Sequence, residues 1–255
     1  MIFNKKQRRL NRIINPKTKR TLLMAFDHVV EHGPVEYEGI DLDPLRIARI
    51  AHDGKVNGLI VHSGAARYIR KHINLPLIIK LTGKTSLTPK EFQAVVTTVK
   101  EAEYLGATAV AATVYVGSEY EDRMLENLSE IKRQCSERKM PLIGFMYPRV
   151  KGKKKDDPNV VRYAARLGAE LGVDIVKTYY TGSKETFSKV VLDANFVPVL
   201  SAGGEMKDEI EFFQLVRDVM ASGASGMAVG RNVWGKGNAS SILNEVRKII
   251  HGDSR

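Results

Sequence analysis

Leu142-Ile-Gly-Phe-Met-Tyr147, then Val160-Val161-Arg-Tyr-Ala164-Ala165-Arg-Leu-Gly168, then Asp174-Ile-Val-Lys177 follow one another in the second half of a 255-residue chain. The outer two are short apolar runs, and the middle one repeats small apolar residues at helical spacing. Strand, helix, strand in such short compass reads as a parallel crossover unit, whose strands are covered on both faces and so lack a polar side. The same grammar extends outward. Leu22–Phe26, Gly58–His62, Pro76–Leu81 and Ala109–Tyr115 read as strands before this unit, and Val197–Ser201 and Gly226–Gly230 as strands after it. Phe92-x-x-Val95-Val96-x-x-Val99-x-x-Ala102 and Met124-Leu125-x-x-Leu128-x-x-Ile131 carry helical period between them. Eight strand–helix repeats predict an α/β chain closed into a single-domain (β/α)8 TIM barrel, which typically takes about 250 residues. A doubly wound sheet is the alternative, but no G-x-G-x-x-G follows the first strand. With no linker-like stretch, the reading is a basic N-terminal extension over 1–20 and a catalytic barrel over 21–255.

Composition narrows the class. Apolar residues make up 43% and charged residues 27%. The lone cysteine, Cys135, precludes an internal disulfide framework and suits a reducing compartment. No apolar run approaches the ~18 residues of a membrane span, and the N-terminus lacks a secretory apolar core, so a cytoplasmic protein is expected. The net charge of +11 admits nucleic acid or an anionic small molecule as partner. Part of the excess is local, in Lys5, Lys6, Arg8, Arg9, Arg12, Lys17, Lys19 and Arg20 and in Lys151-Gly-Lys153-Lys154-Lys155. Neither cluster carries interleaved aromatics or a nucleic-acid motif, so a phosphorylated metabolite explains it better.

Barrel chemistry gathers where strands end. Those ends hold Asp27-His28, His62-Ser63, Lys80 to Lys84, Tyr115, Tyr147-Pro148-Arg149, Lys177, Ser201-Ala202-Gly203-Gly204 and Gly230-Arg231-Asn232. Lys177 is the most telling. A lysine ending a buried strand either snorkels to water or loses its charge to desolvation and becomes an amine able to form a Schiff base. Gly203-Gly204 and Gly230-Arg231, at the last two strands, match the usual barrel phosphate position, where bare backbone and an arginine can meet an anion. His28, His32 and His62 lack the spacing of a closed metal site, and no cofactor is implied.

These segments resemble the archaeal-type class I fructose-bisphosphate aldolase family over about Thr21 to Ile250. The similarity is carried by Ala25-Phe-Asp-His28 with Glu31-His-Gly-Pro34, Lys80-Leu-Thr-Gly-Lys-Thr85, Tyr147-Pro-Arg149, Asp174-Ile-Val-Lys177 with Tyr180-Thr-Gly182, Gly203-Gly204 and Ala228-Val-Gly-Arg-Asn-Val-Trp234. It implies Lys177 as the Schiff-base lysine, Tyr147 as proton donor or acceptor and Asp27 as the carboxylate assisting proton transfer. It further implies a phosphorylated sugar held by Ser201, Ala202, Gly203, Gly204, Gly230, Arg231, Arg149 and His28, no metal, and a homo-oligomer, decameric in relatives. Phe145, where the aldolases commonly carry Trp, and Ala202-Gly-Gly-Glu-Met-Lys207, without their Pro-Lys-Thr, depart from the pattern. An alternative is therefore a transaldolase-type synthase of the same family, making an amino-dideoxyheptulosonate or a deoxyketofructose phosphate for aromatic amino-acid biosynthesis. Rivals from other classes are a non-catalytic basic barrel that binds anionic surfaces or nucleic acid, and a phosphosugar isomerase, which would have no use for Lys177.

Overall fold

The structure is a computed structural model describing residues 5–252; residues 1–4 of the expected extension and 253–255 of the expected barrel lie outside the described residues. Ten strands form. They are β1 (Thr21–Ala25), β2 (Gly58–Val61), β3 (Leu77–Lys80), β4 (Thr82–Gly83), β5 (Ala94–Val95), β6 (Ala109–Val116), β7 (Leu142–Pro148), β8 (Ile175–Thr178), β9 (Val199–Ala202) and β10 (Gly226–Val229). Eight of them close into a parallel barrel in the order β1-β10-β9-β8-β7-β6-β3-β2, and β4-β5 forms a separate two-stranded sheet. Every expected strand is present, with ends displaced by one or two residues. Closure is sealed where Thr21 faces Gly226. There a side chain is impossible, because a Cβ on Gly226 would lie 1.8 Å from Thr21 O.

The helices pack their apolar stripes on the barrel's outer face. Met124, Leu128, Ile131 and Cys135 are buried from Glu121–Arg138, and Val161, Ala164, Ala165, Gly168 and Ala169 from Pro158–Glu170. Two helices begin Asp-Pro. Asp43 accepts from the Leu45 and Arg46 amides and Asp157 from those of Asn159 and Val160, while proline occupies a position whose N–H would be unpaired anyway.

The helix expected over 92–102 does not form as such. Only Val99–Tyr104 is helical, started by the Thr98 side chain accepting from the Glu101 amide. Before it, Val96 N–H and Thr97 N–H both donate to Leu81 O, at 2.8 and 3.2 Å, and Ala94–Val95 pairs with Thr82–Gly83. The apolar period there arises because Phe92 packs edge-on against Tyr120, 5.8 Å away, while Val99 and Ala102 enter the core. Two separate packing demands imitate one helical stripe.

The N-terminal segment is a helix, Lys5–Ile13, lying across the end of the barrel where strands begin. Its cations tie down that closure. Lys6 Nζ sits 2.7 Å from Asp174 Oδ1, Arg9 donates to Ala107 O at 2.7 Å, and Arg20 donates to Ile250 O at 2.8 Å. These charges therefore lie at the end opposite the strand C-termini. Ile13 is fully buried in the inner cluster with Leu23, Ile60, Ile78, Ile143, Ile175 and Leu200, plugging the barrel from below. Ile13→Ala should destabilise the fold by about 2–5 kcal/mol, the usual cost of emptying such a site, as a lower urea midpoint with unchanged m-value.

Candidate active site

Side-chain parity builds the site. Ala25, Ile78, Ala111, Ile143, Ile175, Leu200 and Ala228 face the barrel axis. In a strand, residues two apart share a face. The next inward positions toward the strand ends are Asp27, Lys80, Thr113, Phe145, Lys177, Ala202 and Gly230, and beyond Phe145 comes Tyr147. Six of these, Asp27, Lys80, Thr113, Phe145, Tyr147 and Lys177, line one pocket together with His28, Val30, Glu31, His62, Gly83, Lys84, Gln93 and Tyr115.

Lys177 is 2% exposed, and its Nζ lies 3.9 Å from the centre of the Phe145 ring. Burial lowers its pKa to about 8, against an opposing pull from Asp27 and with help from Lys80. At neutral pH roughly a tenth of such amines is uncharged, whereas a free lysine has almost none. Asp27 is buried, with Lys80 Nζ 3.9 Å from Oδ2 and His28 Nδ1 3.7 Å from Oδ1. Burial favours its protonation, but His28, Lys177, Lys80 and His62 outweigh that and hold the carboxyl far below its ordinary range. Burial also pushes His28 down to about 4, against the pull of Asp27. Asp27 Oδ1 and His28 Nδ1 are both buried without a hydrogen-bond partner in the chain. Unpaired buried polar atoms are costly, and these two border the pocket.

Tyr147 stacks on Tyr179 with ring centres 4.4 Å apart. Burial first, then neighbouring phenols and Asp27, raise its pKa well above the ordinary value, so its hydroxyl keeps its proton. Arg149 does not line the pocket. It sits at the mouth, donating to Tyr179 Oη at 3.0 Å and to Glu91 Oε2 at 3.3 Å, with its guanidinium 4.5 Å from the Tyr115 ring centre. Lys84 Nζ approaches the same Glu91 carboxylate at 3.8 Å.

Ser201, Ala202, Gly203, Gly204, Gly230 and Arg231 form an adjoining patch rather than the pocket wall. The Gly203 N–H donates to Ala228 O at 3.0 Å, so that residue contributes bareness rather than a free donor. Ser201 Oγ is turned onto Ala202 O at 2.9 Å. A Cβ on Gly230 would come within 3.2 Å of Ala25 O and 3.6 Å of His28 Cε1, which places this turn directly behind His28. Arg231 Nη1 is 3.5 Å from Glu36 Oε1. Asn232 organises the patch, a role that only the fold reveals. Its amide donates to Gly203 O at 3.1 Å and Glu205 O at 2.8 Å, and its Oδ1 accepts from the Lys207 amide at 2.8 Å. Among the described residues no group of three or more His, Cys, Asp or Glu is placed to hold a metal ion, and no helix is long and apolar enough to cross a membrane.

Residues 21–236 match the family model described as DeoC/LacD family aldolase. A class 1 fructose-bisphosphate aldolase from Thermoproteus tenax is 39% identical over 242 residues, covering 92% of this chain and 91% of the relative. The chain belongs to the DeoC/LacD aldolases, on their archaeal-type class I fructose-bisphosphate aldolase branch. A Halobacterium salinarum class 1 fructose-bisphosphate aldolase is 33% identical over 241 residues, covering 92% of each chain. An archaeal fructose-1,6-bisphosphate aldolase structure, solved with its catalytic Lys covalently bound to a carbinolamine intermediate, superposes with a TM-score of 0.91 at 37% identity, over 98% of this chain and 100% of its own. This aldolase-family barrel brings Asp27, His28, Tyr147 and Lys177 into one pocket and leaves the glycine turns and Arg149 around its rim.

Asp27 favours the Lys177 ammonium, so Asp27→Asn should move the amine's titration below about 8. The pH dependence of Lys177 acylation by a lysine-selective ester, followed by peptide mass spectrometry, should shift to lower pH. A profile that stays put or moves the other way would uncouple the two groups.

Proposed function

We infer that the chain is a class I, Schiff-base fructose-1,6-bisphosphate aldolase, interconverting that ketose with dihydroxyacetone phosphate and glyceraldehyde 3-phosphate. The observation that carries this reading is Lys177, a buried amine with depressed pKa inside a pocket shared with Asp27 and Tyr147. Support comes from relatives at 33–39% identity named for this activity.

The chemistry follows from the groups present. The C1 phosphate rests against Gly203-Gly204 and Gly230-Arg231, where the Asn232 amide fixes the turn and Arg231 supplies charge. Arg149 at the mouth serves the far phosphate, and His28 a sugar hydroxyl. Neutral Lys177 attacks the C2 carbonyl carbon, giving a carbinolamine. Loss of its hydroxyl as water gives an iminium, whose positive nitrogen accepts the electron pair of the breaking C3–C4 bond. The C4 hydroxyl proton must leave as that bond breaks, and C3 of the resulting enamine must regain one. Tyr147, one strand away from Lys177, performs both transfers. Since its pKa is raised, the phenol is a poor resident base. It therefore takes the C4 proton only after giving its own to the departing hydroxyl, and then returns that proton to C3. Asp27, held ionised beside Lys177, balances the iminium charge. Hydrolysis of the iminium frees the amine. No step here uses a metal, a cofactor or nucleic acid. A cytoplasmic homo-oligomer is the setting this reading carries with it.

Borohydride added with fructose 1,6-bisphosphate should reduce the iminium, inactivate the protein and add mass to the Lys177 peptide. EDTA should leave cleavage unaffected. Adduct on Lys80 or Lys84 instead would overturn the assignment. Trapping with the ketose but no aldol cleavage of the bisphosphate would favour the transaldolase-type synthase, which shares the Schiff base and differs in its second carbonyl partner.

Arg231→Ala should raise KM for the bisphosphate by about 10-fold or more, since a charge-assisted hydrogen bond is worth about 1.5–3 kcal/mol, with a smaller effect on kcat. Tyr147→Phe should lower kcat by on the order of 10²–10⁴-fold and slow borohydride capture of the Lys177 adduct as well, since the same phenol protonates the departing hydroxyl. Steady-state kinetics on both variants, with trapping on the second, check these outcomes.

A further inference from the structure

We propose that Lys80 is a positioning residue that carries the pocket's ammonium charge opposite Asp27, leaving Lys177 as the lysine that yields its proton more readily, and that Gln93, Tyr115 and Glu31 hold it in that role. The proposal rests on the aldolase reading above and adds the means by which this chain makes its nucleophile easier to deprotonate.

Two lysines and one carboxylate share the pocket floor. Lys80 is 4% exposed and Lys177 is 2% exposed, and both amines face the Phe145 ring, at 5.2 and 3.9 Å from its centre. Two buried ammonium groups against one carboxylate would leave an uncompensated charge in a dry site, which is expensive. Burial lowers the pKa of both lysines, with Asp27 opposing it at each and Glu31 opposing it at Lys80 only, and the hydrogen bonding distinguishes which yields its proton more readily. Lys80 Nζ donates to Thr82 O at 3.1 Å and to Gln93 Oε1 at 3.5 Å, and has Asp27 Oδ2 at 3.9 Å. An ammonium has three protons to place and no acceptor capacity, and Lys80 has three oxygens around it. Among the described residues Lys177 Nζ faces aromatic rings, with Tyr147 at 5.8 Å after Phe145, and no hydrogen-bond acceptor.

The orientation of Gln93 is dictated from further out. Tyr115 Oη donates its only proton to Glu31 Oε1 at 3.2 Å. Toward Gln93 it can then only accept, and it does so from Nε2 at 2.8 Å. With the amide nitrogen so engaged, Gln93 must turn its carbonyl oxygen to Lys80. Glu31 is held in turn, since its backbone carbonyl accepts from the Ser86 amide at 2.8 Å. A carboxylate at the pocket mouth thereby sets the acceptor that a lysine meets at the pocket floor.

The other charged and titratable groups facing the two amines are His28, His62, Lys84 and Tyr147. None supplies an oxygen acceptor to Lys177 in the chain. The influence of Lys80 on Lys177 is downward, and that of Asp27 is upward. Removing the Lys80 charge therefore raises the pH at which Lys177 becomes an amine, both directly and by freeing Asp27 to favour its ammonium.

The experiment is the pH dependence of borohydride trapping with fructose 1,6-bisphosphate in the parent protein, Lys80→Met and Gln93→Leu. The parent must first trap on Lys177; failure there sinks the aldolase reading itself. Given that, Lys80→Met should shift the trapping profile to higher pH by about one unit or more, a roughly tenfold loss of rate at neutral pH that is recovered in alkali. Gln93→Leu should shift it in the same direction by less, and Lys80→Arg should stay closer to the parent. A purely structural role would lower the amplitude at every pH without moving the profile, and that result would overturn the proposal. Should Lys80→Met fail to give the parent's circular dichroism spectrum, Gln93→Leu decides alone, and an unmoved profile in it is equally fatal.

Discussion

Alternation along a closed sheet is the constraint on which the rest depends. Once Ala25, Ile78, Ile143 and Ile175 commit to the barrel axis, Asp27, Lys80, Phe145 and Lys177 have no choice of face, because a strand cannot turn a residue outward without turning its neighbours inward. The apolar layer sealed from below by Ile13 thus acts as a template for the polar layer above it. A one-residue slip in β8 would turn Thr178 toward the barrel axis in place of Lys177 and leave the lysine under the helices.

What the polar layer then faces is scarcity of solvent. Asp27, Lys80 and Lys177 are each within 9% of complete burial, so their protonation states are set by one another more than by water. Phe145 matters in this setting. Its ring lies against both amines, offering a weakly stabilising face without an acceptor. The departure from tryptophan that the sequence displays at this position keeps an aromatic wall there but gives up the indole's N–H and its second ring. The unpaired Asp27 Oδ1 and His28 Nδ1 fit the same picture of polar atoms held ready for a hydroxylated ligand.

The surplus positive charge divides by position. Lys6, Arg9 and Arg20 are spent on fastening the barrel's lower end. At the upper end, Lys84 and Arg149 share Glu91, Lys155 meets Glu205 at 2.9 Å, and Arg231 meets Glu36. Of these pairs only Lys155–Glu205 is well exposed on both sides, where such a pair contributes about 0–1 kcal/mol.

The eight barrel strands, the buried lysine of β8 and the two glycine turns were legible in the sequence, because each rests on local periodicity or on a residue type that stands out at its position. A buried parallel strand is largely apolar, so a lysine at its end either snorkels to water or sits in a site, and the neighbouring strand ends pointed to the second. The segment 92–102 was misread for the same reason in reverse: Phe92, Val99 and Ala102 satisfy two unrelated contacts that happen to share a helical spacing. Tertiary structure alone decided how far apart the charges sit, that Arg149 stands outside the pocket, that the Gly203 N–H is spent on Ala228, and that Asn232 pins the turn. It alone brought Gln93 beside Lys80, which lies thirteen residues away across a hairpin. Periodicity determines which face a side chain occupies. Hydrogen bonds and charge pairs depend on distances between strands that are remote in sequence, and those exist only once the sheet has closed.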